Sequence, residues 1–218
     1  MPATLALTQY YGRRAQEYDK VYAKPERQGD LALLHRLVPE LMIGRRVYEV
    51  ACGTGYWTAL VAQSAQTIFA TDINDEVLEI ARTRPMPPHR VTFAQADAFA
   101  LPSAPEPCTA GFAGFWWSHL RRGDELDQFL RGFFARLKPG ARFVFLDNAN
   151  VIGSSTAIAR TDADGNTFQV RTLADRSTHE VLKNFPDEDE VRAVLEPYAA
   201  RVTWDRLSYY WLVWGELK

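Results

Sequence analysis

The chain is poor in residues that crosslink or coordinate. It holds 2 cysteines, Cys52 and Cys108, and 4 histidines, and neither thiol has a Cys or His partner at metal-binding spacing. That argues against a disulfide framework or a cysteine-rich zinc site, and no metal is expected; the expected compartment is a reducing cytoplasm. No apolar run reaches the ~18 residues of a membrane span. A basic start followed by an apolar core and a small-residue cleavage site is also missing from the N-terminus, so no secretory signal is expected. Neither sign of charge is in excess: 25 Lys and Arg against 27 Asp and Glu leave −2, too little for a general field toward nucleic acid or anionic lipid. Glycine (13) and proline (12) are too few for collagen-like or low-complexity arrays. What is there, 47% apolar residues in a chain of 218, suffices to bury a core without staples.

Along the chain the texture alternates. The first 40 residues read as helical, with Pro25 separating an amphipathic start from an apolar stripe over Leu31 to Leu41. Arg45 to Cys52 is a short apolar strand running into Gly53-Thr54-Gly55, and a helix is expected from Tyr56 to Gln66. Thr67 to Thr71 is a second strand ending at Asp72; Asn74 is placed to cap a helix through Arg84. Val91 to Ala96 is a third strand, Thr109 to Trp117 a fourth, Leu126 to Leu137 a helix. Lys138-Pro139-Gly140 is a turn into a fifth strand, Ala141 to Leu146. Residues 150–180 lose this regularity and read as a hairpin excursion around Asp164-Gly165. A last helix to about Tyr198 and two β segments, Val202 to Leu207 and Tyr209 to Gly215, close the chain. Strand–helix alternation of this length predicts an α/β fold, a parallel sheet with helices on both faces. One domain over 1–218 is expected: a helical cap (1–43), a core (44–147), an insertion (148–185) and a C-terminal helix and hairpin (186–218).

The strongest local signal is Glu49-Val50-Ala51-Cys52-Gly53-Thr54-Gly55. The glycines permit a tight turn and close approach of a ligand, and the N–H groups of the following helix face the same space. A dinucleotide fingerprint wants Gly or Ala three residues after Gly55, where this chain has Thr58 behind the bulky Tyr56-Trp57. No Tyr-x-x-x-Lys pair is present either, which disfavours a nicotinamide-dependent reductase.

These residues resemble the class I S-adenosylmethionine-dependent methyltransferases of the small-molecule branch. The family's first motif is an acidic residue, three residues, then Gly-x-Gly, matched by 49–55. Its second is an acid ending the next strand, matched by Asp72, 17 residues after Gly55. Its third is matched by Asp97 in Gln95-Ala96-Asp97-Ala98-Phe99, and Leu137-Lys138-Pro139-Gly140 matches its entry to strand five. The resemblance implies a Rossmann-like, mostly parallel seven-stranded sheet with an antiparallel last strand, helices on both faces and an N-terminal helical cap, and S-adenosyl-L-methionine as cofactor. It implies that Asp72, with Ile73 beside it, accepts the ribose hydroxyls, that Asp97 takes the adenine amino group with Ala98 or Phe99 lining the ring, and that Glu49 and Ala51 lie near the amino end with Gly53 and Gly55. It further implies an aromatic residue and an arginine over the cofactor from the N-terminal segment, here Tyr11 and Arg14, an Arg fork being suited to a carboxylate. Phe115 and Trp116 end strand four, where the family places the methionine moiety and the acceptor.

The implied reaction is in-line transfer of a methyl group to N or O of a small molecule, catalysed mainly by alignment and desolvation. His119 and Asp147 are candidate general bases. The aromatic residues around Trp116 and Trp211 favour an apolar or aromatic acceptor. The expected partner is that acceptor alone, with no nucleic acid and no membrane, since the chain has no basic stripe. The competing reading is a non-catalytic cofactor-binding protein on the same fold, for binding and turnover are separable. Nothing in the sequence selects the acceptor or the oligomeric state.

Overall fold

The structure is a computed structural model; it describes residues 12, 15–173 and 175–218, with side chains of the N-terminal segment from residue 19 onward. Seven strands form one sheet in the order β3-β2-β1-β4-β5-β10-β9. These are β1 Arg46–Val50, β2 Thr67–Asp72, β3 Val91–Gln95, β4 Cys108–Gly114, β5 Leu137–Asn148, β9 Ala199–Arg206 and β10 Tyr210–Leu217. β1 to β5 pair in parallel, and β10 runs antiparallel to both its neighbours. The expected fold class is observed. The strand order reverses between β1 and β4, and a crevice opens at the carboxyl ends there, the usual ligand position in an open α/β sheet.

Because side chains alternate across a strand, neighbouring residues feed opposite faces of the sheet. Tyr48, Phe145 and Val213 enter one core with Phe129 and Phe133 of helix α4 (Asp124–Phe134) and Val191 and Leu195 of α5 (Glu188–Leu195). Val47, Val144 and Leu212 enter the other, with Leu31, Leu34 and Val38 of α1 (Gln28–Leu41), Trp57 and Val61 of α2 (Tyr56–Val61) and Leu78 of α3 (Asp75–Thr83). Asp187 and Glu190 form a reciprocal capping box at the start of α5.

Several expected boundaries shift for local reasons. The fourth strand stops at Gly114, not Trp117, because Phe115 takes a left-handed φ of 61° and Trp117–His119 coil into a 3-10 turn. The helix after the glycine loop ends at Val61; residues 62–65 close into turns on α2 carbonyls, and Ser64 Oγ donates to Pro39 O at 2.7 Å. Lys138-Pro139-Gly140 lies within β5, as a bulge: between the pairs Cys108–Leu137 and Ala110–Arg142 the partner strand advances two residues and β5 five. Asn74 stands at the N-cap of α3, but its side chain makes no capping bond. Residues 150–180 build more than a hairpin: β6 (Arg160–Thr161), β7 (Thr167–Thr172) and β8 (Thr178–Leu182) form a separate antiparallel sheet, with Asp164-Gly165 in the first turn. Both cysteines are buried and free. Among the described residues no helix is long and apolar enough to cross a membrane, and no cluster of His, Cys, Asp and Glu could hold a metal ion.

Candidate active site

Two adjoining cavities lie at the carboxyl ends of β1, β4 and β5, and Tyr22 lines both. The first is a narrow cleft walled by Glu49, Ala51, Gly53, Thr54, Trp57 and Gly114. Its floor is strained backbone: Ala51, Gly53 and Gly55 all have positive φ, at 55°, 54° and 73°. At Gly53 a Cβ would project into open space, whereas at Gly55 it would stand 2.9 Å from the Cβ of Ala81. One glycine therefore keeps room for a ligand, and the other lets α3 pack against the loop.

The acids take distinct positions. Glu49 is 2% exposed, and its Oε2 has no hydrogen-bond partner. Burial, reinforced by the charge of Asp72, pushes its pKa up to about 8. A buried carboxyl oxygen left unsatisfied on the wall of a cleft is costly unless a donor arrives there. Asp72 is also buried, which raises its pKa; Oδ2 accepts from Gly53 N and Oδ1 from Asn74 N, both at 2.9 Å. It therefore locks the glycine loop to β2, and half of its lone-pair capacity remains for a ligand. Ile73 is held beside it by Gln95 Nε2, 2.9 Å from its carbonyl. Asp97 accepts from Phe99 N at 2.9 Å. Phe99 packs edge-on to Trp116 at 6.4 Å, so Asp97, Ala98, Phe99 and Trp116 converge beyond β3 and β4. Tyr11 and Arg14 lie outside the described residues.

Residues that no motif marked complete the cleft. Tyr22 stacks on Tyr56 at 4.0 Å and receives a hydrogen bond from Trp57 Nε1 at 3.2 Å. Thr54 donates to Asp19 Oδ1 at 2.7 Å, and Arg84 bonds both Thr54 O and Asp19. This clasp ties the N-terminal segment to the glycine loop. Its members are 35 and 65 residues apart, a separation at which sequence carries no periodic signal.

The second cavity has a volume of about 100 Å³ and is walled mainly by polar groups: Lys24, Arg27, His119, Asn148, Gln169, Arg171 and Lys183, with Phe115 and Tyr22 among its rings and Tyr22 facing the first cleft as well. Ser154, Ser155 and Thr156 of the insertion add to its wall. His119 is buried, and its Nδ1 lies 2.8 Å from Leu182 O. A carbonyl only accepts, so Nδ1 carries the proton and Nε2 the lone pair of the neutral ring. Burial, then the Lys183 ammonium, lowers its pKa below the ordinary histidine range.

Asp147, the other candidate base, is fully buried and receives Ser118 N at 2.9 Å, Lys183 Nζ at 2.9 Å and Asn148 N at 2.7 Å. Burial opposes its charge, yet Lys183 holds its pKa below the carboxylate range. Its lone pairs are spent on these donors and it does not line the cavity, so the geometry makes it a structural anion, not a base. The tryptophans also correct an expectation. Trp211 is stacked on Trp204 and edge-on to Trp117 within the core, and neither it nor Trp116 lines the acceptor cavity.

Comparison with known proteins agrees with this architecture. Residues 47–140 match the family model described as a methyltransferase domain. A demethylmenaquinone methyltransferase of Clavibacter sepedonicus is 35% identical over 107 residues, 48% of this chain and 41% of the relative's length. The ubiquinone/menaquinone biosynthesis C-methyltransferase UbiE of Photorhabdus laumondii is 26% identical, over 88% of this chain and 84% of its own. Among solved structures, the DhpI–SAH complex superposes with a TM-score of 0.78 at 24% identity, covering 99% of this chain and 97% of that one, a likeness of fold. The motif acids, the glycine loop they enclose and the matched residues agree: residues 47–140 carry a methyltransferase domain whose motifs are similar to those of the class I S-adenosylmethionine-dependent methyltransferases.

Proposed function

We propose that this chain moves the methyl group of S-adenosylmethionine to N or O of a small acceptor seated in the polar cavity, in the cytoplasm and without a nucleic-acid or membrane partner. The observation that carries the reading is the adjacency of the two cavities through Tyr22: a cleft with an orphaned buried carboxyl oxygen beside a polar chamber. The cleft fits the cofactor. Glu49 Oε2 supplies an acceptor for an ammonium group, the open side of Gly53 leaves room for the chain, and Asp72 and Asp97 offer carboxylates for ribose and adenine. When bound, the cofactor supplies an electrophilic methyl on a sulfonium, whose leaving group is a neutral thioether.

The protein's own part is alignment and exclusion of water. The N-terminal segment, through Tyr22, Lys24 and Arg27, and the insertion, through Ser154 and Arg171, form the walls of the chamber. His119 is placed to take the proton an O or N acceptor releases. Its lowered pKa does not disqualify it, since the O–H of a hydroxyl or the N–H of a neutral amine becomes far more acidic as the bond to the methyl carbon forms and the bond to sulfur breaks. The chain then works as one domain in which the helical segment 15–43 and the described part of the insertion 148–185 cover the acceptor.

The names of the relatives favour a second reading, a carbon acceptor. Incubation with ¹³C-methyl cofactor and a small-metabolite extract, followed by NMR of the labelled methyl, separates them: an O- or N-methyl resonance is expected, and a C-methyl resonance selects the second reading. Two variants test the assigned residues. Asp72→Ala should weaken S-adenosylhomocysteine at least tenfold by calorimetry with the fold intact. His119→Gln should lower kcat by roughly 10²-fold with little change in KM if His119 is the base; unchanged kcat returns it to packing.

A further inference from the structure

Among the described residues, the acceptor chamber holds a buried arginine without an ion-pair partner. Arg27 is 6% exposed, yet its hydrogen bonds go to neutral atoms: Nη1 to Asn148 Oδ1 at 2.9 Å, Nε to Ser154 Oγ at 3.1 Å and Nη2 to Ser154 O at 3.4 Å. Tyr209 and Tyr210 lie under its guanidinium at 5.4 and 5.5 Å. Lys24 Nζ donates to Ser154 O at 2.5 Å, and Arg171 Nε to Gln169 Oε1 at 3.1 Å. All three line the same cavity.

Of the nearby carboxylates, Asp147 pairs with Lys183, Asp30 accepts from Tyr209 N, and exposed Glu26 accepts from the Ser154 hydroxyl, so that its charge reaches Lys24 and Arg27 only at longer range. Among the described residues no carboxylate comes within ion-pair distance of Lys24, Arg27 or Arg171. Buried charges are ordinarily paired, and three like charges around about 100 Å³ repel one another. In keeping with this, burial and then the charge of Arg27 depress the pKa of Lys24. The cost is offset if an anion enters.

We infer that the methyl acceptor carries an anionic oxygen group, a carboxylate, phosphate or phosphonate, clamped by Arg27, Lys24 and Arg171. This rests on the methyltransferase reading and narrows its acceptor. An arginine fork grips such a group at two points, and Lys24 adds a point charge. With the charged group fixed against these three residues, the reacting atom is directed toward Tyr22, the residue shared with the cofactor cleft, and Phe115, which packs edge-on to it at 5.8 Å. Arg27, Lys24 and Arg171 are thus specificity-determining residues.

The test is calorimetry on the full chain, first with S-adenosylhomocysteine and then, on both the loaded and the free protein, with inorganic phosphate, acetate and ethylene glycol. At least one anion should bind and the neutral diol should not; which anion is tighter separates phosphoryl from carboxyl recognition. Arg27→Met should weaken that anion at least tenfold and leave S-adenosylhomocysteine within twofold. Should Arg27→Met fail to fold, Lys24→Met and Arg171→Met carry the same expectation at about threefold or more each. Anions binding no better than the diol, or indifferent to all three variants, overturn the proposal. So does a loss that falls on S-adenosylhomocysteine, which would assign Arg27 to the cofactor's own carboxylate. Absence of S-adenosylhomocysteine binding in the unaltered protein speaks against the methyltransferase reading, while the anion titration of the free protein still decides the clamp.

Discussion

The two cavities are built in opposite ways. The narrow cleft is shaped by backbone: the stretch Glu49–Gly55 with its two positive-φ glycines carries the Glu49 carboxyl, and the rings of Tyr22, Tyr56, Trp57 and Phe112 close around it. The acceptor chamber is made of long cationic and amide side chains that converge from the N-terminal segment, the end of β5 and the small second sheet. A loop whose shape is set by φ angles holds one ligand class whatever surrounds it. A chamber of side chains can be retuned residue by residue. The difference separates what a fold fixes from what an individual enzyme chooses.

That contrast is broken most severely beneath the chamber. The Lys183–Asp147 pair has both side chains almost wholly buried, at 6% and 0% exposure. Lys183→Met strands the Asp147 carboxylate, so urea unfolding should show a loss of roughly 3–5 kcal/mol, much of it recovered in Lys183→Met/Asp147→Leu. A loss below about 1 kcal/mol would mean that the Ser118 and Asn148 donors suffice alone.

The comparison also explains what could be read in advance. Glu49, Gly53, Gly55, Asp72 and Asp97 were legible as candidates through the motif resemblance, whose acids fall at or just beyond the carboxyl ends of β1, β2 and β3. The parallel direction of the main strands followed from strand–helix alternation, whereas their order in the sheet did not. Tyr22, Lys24, Arg27 and Arg171 were not legible, since a basic residue on a short segment or a half-buried strand looks like any solvated one. Only the fold brings Arg27 beside Asn148, 121 residues away. Asp147 misled for a related reason: a strand-end acid reads as reactive until its buried lysine partner is seen. The tryptophans misled because aromatic rings near a site are equally at home in its supporting core.

Within the cofactor cleft the glycines can be set against each other. Gly53→Ala keeps its neighbours at a distance, so the cost to folding should be only the left-handed backbone, about 1 kcal/mol, while S-adenosylhomocysteine affinity falls because the methyl enters the ligand space. Gly55→Ala should cost more stability, roughly 2–3 kcal/mol, since its Cβ meets Ala81 as well. Equal stability losses, read from urea midpoints, would show that the loop moves as a unit and that the division of labour between the glycines is wrong.

The finest test of the contrast is protonation, because the cleft carries the one acid whose pKa is pushed to about 8. Folded Glu49 is protonated where the unfolded chain is ionised, so its contribution to stability is full below about pH 4.5 and is lost as pH rises toward 8. Glu49→Gln should therefore flatten the stability profile of the ligand-free protein over that range and be the more stable form above pH 7. Binding should show the reverse slope. An ammonium group prefers the ionised carboxylate, so cofactor binding must expel the proton, and affinity should rise up to tenfold per pH unit from 6 to 8, then level. Calorimetry of S-adenosylhomocysteine in buffers of different ionisation enthalpy reads the proton release directly, and Glu49→Gln should remove it. Release that survives in Glu49→Gln would place the titrating group elsewhere, with Asp72 next in line because burial raises its pKa as well.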